Sequence, residues 1–272
     1  MDRKHSRVPF QMLVSFVAGA SLVHASDSPQ LGQSPTRDGR TVGSVSTAVG
    51  PARSGAGGDR QELVGDDLSA WRGDTGDWHV AGSATLDPAD PKLLATRAGG
   101  GVLVNGPAGN TSDILSRLEH GDVEVHVEFM VPGGSNSGVY LQGRYEVQVF
   151  DSWGVEEPTF SDCGGIYQRW RNDEGFEGHP PRKNASRPPG EWQSFDIVFR
   201  APRFDAAGDK TANAKFIRGV HNGVVVHEDV EVTGPTRAAT YADEKPMGPL
   251  MLQGDHGPVA YRNVVVQAPP AP

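Results

Sequence analysis

A chain of 272 residues with a formal net charge of −9 has room for one large domain or two small ones, and its acidic balance, without a basic stripe, argues against nucleic acid as a partner. The single cysteine, Cys163, excludes an intrachain disulfide framework and any multi-cysteine metal site. With 35 glycines, 21 prolines and short alternating runs in place of 3.6-residue periods, the chain reads as all-β.

Arg3, Lys4 and Arg7 precede an apolar run from Met12 to Val23, and Val23-His24-Ala25 ends that run as a cleavage site would. Residues 1–25 therefore read as a signal peptide and the protein as exported, periplasmic or extracellular; an uncleaved N-terminal anchor is the alternative. No later stretch is long and apolar enough for stable membrane insertion after cleavage. Residues 26–60 are rich in Ser, Gly, Pro, Thr and Ala, bury little, and predict a flexible linker. The folded domain is expected over residues 61–268, with 269–272 a short tail.

Leu63, Leu68, Trp71, Trp78 and Val80 open the domain; the two tryptophans suit either a core or a sugar-stacking platform. Lys92–Thr96 and Gly101–Asn105 read as two short strands separated by a glycine turn. From Asp122 to Val131, Val123, Val125, Val127, Phe129 and Val131 alternate with Glu124, His126 and Glu128, the pattern of a half-buried strand. His126 between two glutamates is either a metal ligand or part of a solvated face.

Asn136 to Asp151 reads as one extended strand. Val139, Leu141, Tyr145, Val147 and Val149 fall on an inward face, whereas Tyr140, Gln142, Arg144, Glu146, Gln148 and Phe150 form a polar row with aromatic ends. Planar amides, a guanidinium and a carboxylate in one row suit sugar hydroxyls or a ligand carboxylate; a solvated face with an Arg144–Glu146 ion pair is the competing reading. The irregular stretch that follows carries Trp153, Tyr167 and Trp170, a density that favours a loop ordered against a ligand.

Glu191–Arg200 alternates again, and Ala212–Val220 and Val225–Val230 flank His221-Asn222-Gly223-Val224, where Asn-Gly predicts a type I′ turn. Pro249–Gly257 and Val259–Val266 read as two antiparallel strands joined by a Gly-Pro corner. The whole predicts a two-sheet sandwich.

Two clusters carry the chemistry. Glu146-x-Gln148-x-x-Asp151 is one, provided that a bulge near Phe150 returns Asp151 to the face of Glu146. Gln253, Asp255 and His256 form the other, where Asp255 is placed to orient an imidazole for acid–base work, or merely to cap a turn. Arg262 and Asn263 follow on the next strand. Cys163, flanked by glycines and without an evident base, reads as a packed residue.

Eight segments occur together in one order: Asn136–Tyr140, Arg144–Asp151, Cys163–Tyr167, Gly190–Trp192, Arg200–Asp205, His221–Val224, Thr233–Thr236, and Gly248–Gln253 leading to Arg262–Asn263. With them the chain resembles the 3-keto-disaccharide hydrolase domain family, over about residues 63–266. The resemblance implies a concanavalin-like jelly-roll β-sandwich of two antiparallel sheets that binds carbohydrate against a concave wall and cleaves glycosides oxidised at C3. It places Glu146, Asp151, Asp255 and His256 in catalysis, and Gln148, Gln253, Arg144 and Arg262 on substrate, with Tyr140, Gln142, Trp153 and Tyr167 beside them. No cofactor is required; Asp151, Asp255 and His256 leave a divalent cation open. A carbohydrate-binding or surface-interaction module without catalysis is the alternative. The chain departs from the family pattern at Lys215–Gly219, which lacks strand alternation, and in the loop over residues 169–183.

Overall fold

The computed structural model describes residues 60–269; the expected signal peptide and nearly all of the expected linker lie outside them. In chain order the strands are β1 (Gln61–Glu62), β2 (Trp71–Arg72), β3 (His79–Leu86), β4 (Leu94–Val104), β5 (Ile114–His120), β6 (Val123–Met130), β7 (Asn136–Leu141) and β8 (Tyr145–Phe150). They continue as β9 (Arg169–Arg171), β10 (Glu174–Phe176), β11 (Gln193–Arg200), β12 (Arg203–Phe204), β13 (Lys210–Ala212), β14 (Ala214–His221), β15 (Val224–Val232), β16 (Gly248–Leu252) and β17 (Ala260–Gln267).

Two antiparallel sheets form the sandwich. The larger runs β15-β14-β11-β6-β17-β4-β3, with β1 also on β17; the smaller runs β2-β5-β16-β7-β8. Consecutive strands β5 and β6, and again β16 and β17, belong to different sheets, the exchange that characterises a jelly roll. Between the sheets lies one continuous core containing Val125, Val127, Phe129, Val139, Leu141, Tyr145, Val147, Phe195, Phe199, Leu250, Leu252 and Tyr261, all buried. Trp71 and Trp78 belong to this core, 2% and 3% exposed, and so cannot serve as sugar platforms.

The stretch expected as one strand, Asn136–Asp151, is a hairpin. Gln142 and Gly143 take φ of 56° and 63°, and Arg144 N–H donates to Leu141 O at 3.0 Å, closing a tight turn. The inward and outward sets nevertheless survive the fold-back. Leu141 faces Tyr145, Tyr140 faces Glu146 and Gly138 faces Gln148, so every paired position has the same parity as its partner.

Three other local expectations change. Gly99–Gly101 is no turn but lies within β4, where an added Cβ on Gly99 would stand 2.6 Å from Gly82 Cα, so the paired strands pass too closely for side chains. At Lys215–Gly219 the missing alternation is a β-bulge: Phe199 pairs with Phe216 but Val198 with Arg218, leaving Ile217 as the extra residue. The corner between β16 and β17 carries the chain from one sheet to the other and closes no hairpin. The Asn222-Gly223 turn has both φ positive, 49° and 80°, as a type I′ turn requires.

Candidate functional site

The outward face of β7 and β8 becomes a site because loops and the β16–β17 corner cover it. Strand β8 is the end strand of the smaller sheet, yet its free edge is paired: Gln148 N–H donates to Gly165 O, Gly164 N–H to Gln148 O, and Tyr167 N–H to Glu146 O, all between 2.8 and 3.1 Å. Glu146 N–H donates to Thr236 Oγ1 at 3.1 Å, and that hydroxyl donates to Arg144 O at 3.0 Å. The backbone under Glu146 is thereby fixed from two loops.

The corner is fixed as firmly. Fully buried Asn105 donates through Nδ2 to Gly254 O and Gly257 O at 3.0 and 2.8 Å, and its Oδ1 accepts from Val259 N–H at 2.8 Å. Ser137 Oγ donates to Gln253 O at 2.7 Å, Ser135 Oγ to Pro258 O at 2.6 Å, and Gln253 N–H to Gly138 O at 3.0 Å. Gly254 N–H donates to Asp113 Oδ1 at 3.0 Å. These bonds hold Gln253 and His256 against the hairpin.

One cavity of about 270 Å³ results, lined by Asn136, Tyr140, Glu146, Gln148, Tyr167, Arg237, Ala238, Gln253 and His256. Four of these nine carry a buried oxygen without a protein hydrogen-bond partner: Asn136 Oδ1, Tyr140 OH, Gln148 Oε1 and Gln253 Oε1. Buried oxygens left unsatisfied cost about 1–3 kcal/mol each, so such a cluster suits a ligand rich in hydroxyl groups.

Burial pushes the Glu146 carboxyl up to about 8; the Tyr140 hydroxyl beside it opposes the rise, and Asp113 and Asp255 add to it. Tyr140 approaches without completing hydrogen-bond geometry. Asp113 is itself raised, chiefly by burial, against the bond from Gly254 and with the help of Asp255. His256 Nδ1 is in close contact with Asp255 Oδ1, which leaves Nε2 as the nitrogen free for chemistry. Among the described residues no group of three or more His, Cys, Asp or Glu is arranged to hold a metal ion.

The cavity gathers Tyr140, Glu146, Gln148, Tyr167, Gln253 and His256 from the expected set, with Asp255 behind His256. Five expected residues stand elsewhere. Gln142 donates through Nε2 to His120 O and Pro246 O at the closed end of the hairpin. Arg144 binds Asp243 through Nε and Nη2 at 2.5 and 2.9 Å, so it forms no pair with Glu146. Strand β8 runs to Phe150 with no register shift, and Asp151 instead accepts Gly134 N–H at 2.9 Å. Trp153 is 58% exposed and lines no part of the cavity. Arg262 lies on β17 in the other sheet, bonded to Glu128 Oε2 at 2.6 Å and stacked 4.0 Å from the Trp192 ring centre. His126 donates across β6–β11 to Asp196 at 2.7 Å, and Cys163 is sealed in the core, its thiol pushed by burial up to about 12.

Asn136, Asp113, Arg237 and Ala238 were not expected. Asn136 belongs to the even-numbered outward row, and extending that row two places would have found it. Asp113 and Arg237 sit outside any strand, where no periodicity marks them.

A family model described as 3-keto-alpha-glucoside-1,2-lyase-like domain matches residues 59–267. A crystal structure of a "putative glycosyl hydrolase" from Parabacteroides distasonis is 29% identical, with 78% of this chain and 84% of that one covered and a TM-score of 0.56. A second structure from that organism, described in the same words, is 18% identical over 78% of this chain and 100% of its own, with a TM-score of 0.51, and shares the fold. The comparison with curated proteins returned no match.

Proposed function

The chain belongs to the 3-keto-alpha-glucoside-1,2-lyase-like domain family and is a carbohydrate-acting protein, and we propose that it cleaves glycosides whose C3 carries a ketone. The observation that supports this most directly is that Glu146, a carboxyl pushed up to about 8, and His256, an imidazole backed by Asp255, open on one cavity.

A C3 ketone acidifies the proton at C2. In the proposed reaction His256 Nε2 takes that proton, with Asp255 stabilising the imidazolium through Nδ1. The electron pair of the broken C–H bond forms a C1–C2 double bond while the C1–O bond breaks toward the leaving oxygen. Protonated Glu146 gives its proton to that oxygen, the role for which burial suits it at neutral pH. Water adding across the double bond then completes a net hydrolysis. This route needs one base and one acid, which are the two groups present, and no nucleophilic carboxylate pair. Asn136, Tyr140, Gln148 and Gln253 hold the sugar oxygens, with Tyr167 over the ring.

The same reading places the protein outside the cytoplasm, on the basic residues, apolar run and Ala25 of the N-terminus; N-terminal sequencing of the mature protein tests it. The catalytic reading is tested by incubating purified protein with a 3-keto-disaccharide and with its unoxidised parent. Turnover of the ketosugar alone, lowered by about 10²–10⁴-fold in Glu146→Gln and in His256→Ala, supports the enzyme. Binding without turnover favours a carbohydrate-binding module, and turnover intact in both variants refutes the assignment of the site.

A further inference from the structure

A second cavity, of about 300 Å³, adjoins the first. Arg237 and Ala238 line both, so the two spaces are neighbours across that pair. Ala238 holds a φ of 63°, a left-handed conformation unfavourable for a non-glycine residue, and it is retained here at the dividing wall. Arg237 is anchored by its own N–H to Gln168 O at 2.8 Å, and its guanidinium stacks 4.0 Å from the ring centre of Trp170. Trp170 stands on the small β9–β10 sheet and is 42% exposed. Tyr241 supplies a second ring and Arg169 a second cation.

We propose that this second cavity binds the leaving-group half of the substrate as a pyranose ring, while the first cavity holds the oxidised ring. The proposal rests on the reading of the first cavity as a substrate site. A pyranose presents an apolar C–H face and a rim of hydroxyl oxygens. The exposed Trp170 ring matches the face and the fixed guanidinium donors of Arg237 match the rim, with Tyr241, whose ring carries the Arg144 guanidinium at 4.6 Å, beside them. No carboxylate lines this cavity, and because Arg169 is paired with Glu177 at 3.3 Å, Arg237 is the cation that favours a neutral or acidic sugar over one carrying an ammonium. Arg237, shared by both spaces, lies where the glycosidic oxygen has to pass.

The test compares turnover of a 3-keto-disaccharide with that of methyl 3-keto-glucoside, together with calorimetric binding of the unoxidised disaccharide and methyl glucoside. The disaccharide should be preferred in wild type, and Trp170→Ala should reduce that preference about tenfold, with Trp170→Phe restoring most of it. Turnover of the methyl glycoside with no advantage for the disaccharide, or a preference unchanged in Trp170→Ala, overturns the second site and leaves the catalytic reading standing. Tighter disaccharide binding that is lost in Trp170→Ala, without turnover of either ketosugar, supports the second site and overturns the catalytic reading. If neither sugar binds nor reacts, both fall.

Discussion

A Cβ placed on Gly138 would stand 2.6 Å from Glu146 Oε1 and 2.8 Å from Cε2 of Tyr140. Gly138 pairs with Gln148 across the hairpin, so the gap it leaves lies in the same outward row as Glu146. That gap gives the carboxylate its place. Gly138→Ala should therefore fold with a loss of about 1–3 kcal/mol and lose most of its turnover, since even one methyl displaces Glu146. Thermal unfolding and kcat/KM measured on the same preparation check both halves.

Glu146 also sets a pH dependence whose sign can be worked out. Its carboxyl rises from an ordinary 4.5 to about 8 in the folded protein, so the native state holds a proton that the unfolded chain releases. The resulting stability is fully present below pH 4.5 and is lost as the pH climbs toward 8, by at most about 1.4 kcal/mol per unit. Glu146→Gln, which resembles the protonated acid, should match wild type at pH 4.5 and exceed it at pH 8. Equal Tm values across that range would contradict the assignment. As the proposed acid, Glu146 should also impose a fall in kcat/KM above about pH 8, and the Gln variant should lose about 10²–10⁴-fold in rate.

Asn105 reaches the site only through the backbone of the corner. Removing its three hydrogen bonds in Asn105→Ala should cost about 2–4 kcal/mol and loosen Gln253 and His256 together. Denaturant unfolding gives the stability, and a rise in KM accompanying a lower kcat reports the displaced corner.

Thr236→Val keeps the shape of the side chain and deletes the hydroxyl between Glu146 N–H and Arg144 O. A loss of about 1–3 kcal/mol is expected, with Thr236→Ser recovering most of it. Hydrogen exchange at the Glu146 amide should accelerate in the Val variant alone.

Arg262 and Trp153 stand apart from the cavity. Arg262→Ala and Trp153→Ala should each leave kcat/KM within about twofold of wild type, because exposed pairs and exposed rings contribute little at a distance. A large fall in either would place substrate on a different face.

Much of the sandwich is legible in residue parity, and parity survives even where the strand assignment fails. The hairpin at Gln142-Gly143 pairs odd positions with odd and even with even, so a row read along one imagined strand still identifies Tyr140, Glu146 and Gln148 as neighbours. Within that same row, position alone cannot separate Glu146 from Gln142 and Arg144. Gln142 and Arg144 sit at the turn, where backbone carbonyls and Asp243 claim their side chains. Arg262 misleads because the chain changes sheets between Gln253 and Ala260, and no residue pattern marks which sheet receives it. Asp113 and Arg237 come from loops placed by contacts distant in the chain, such as the bond from Gly254 to Asp113 at a separation of 141 and that from Arg237 N–H to Gln168 O.

Cys163 gives the molecule a built-in gauge of its own opening. Its sulfur lies in the core 4.0 Å from His221 Nε2, and its thiol, held near 12, offers no thiolate to a reagent at neutral pH. Alkylation of the protein is therefore gated by an opening that lifts the loop carrying Cys163 off the core, and its rate in native buffer reports how readily that opening occurs.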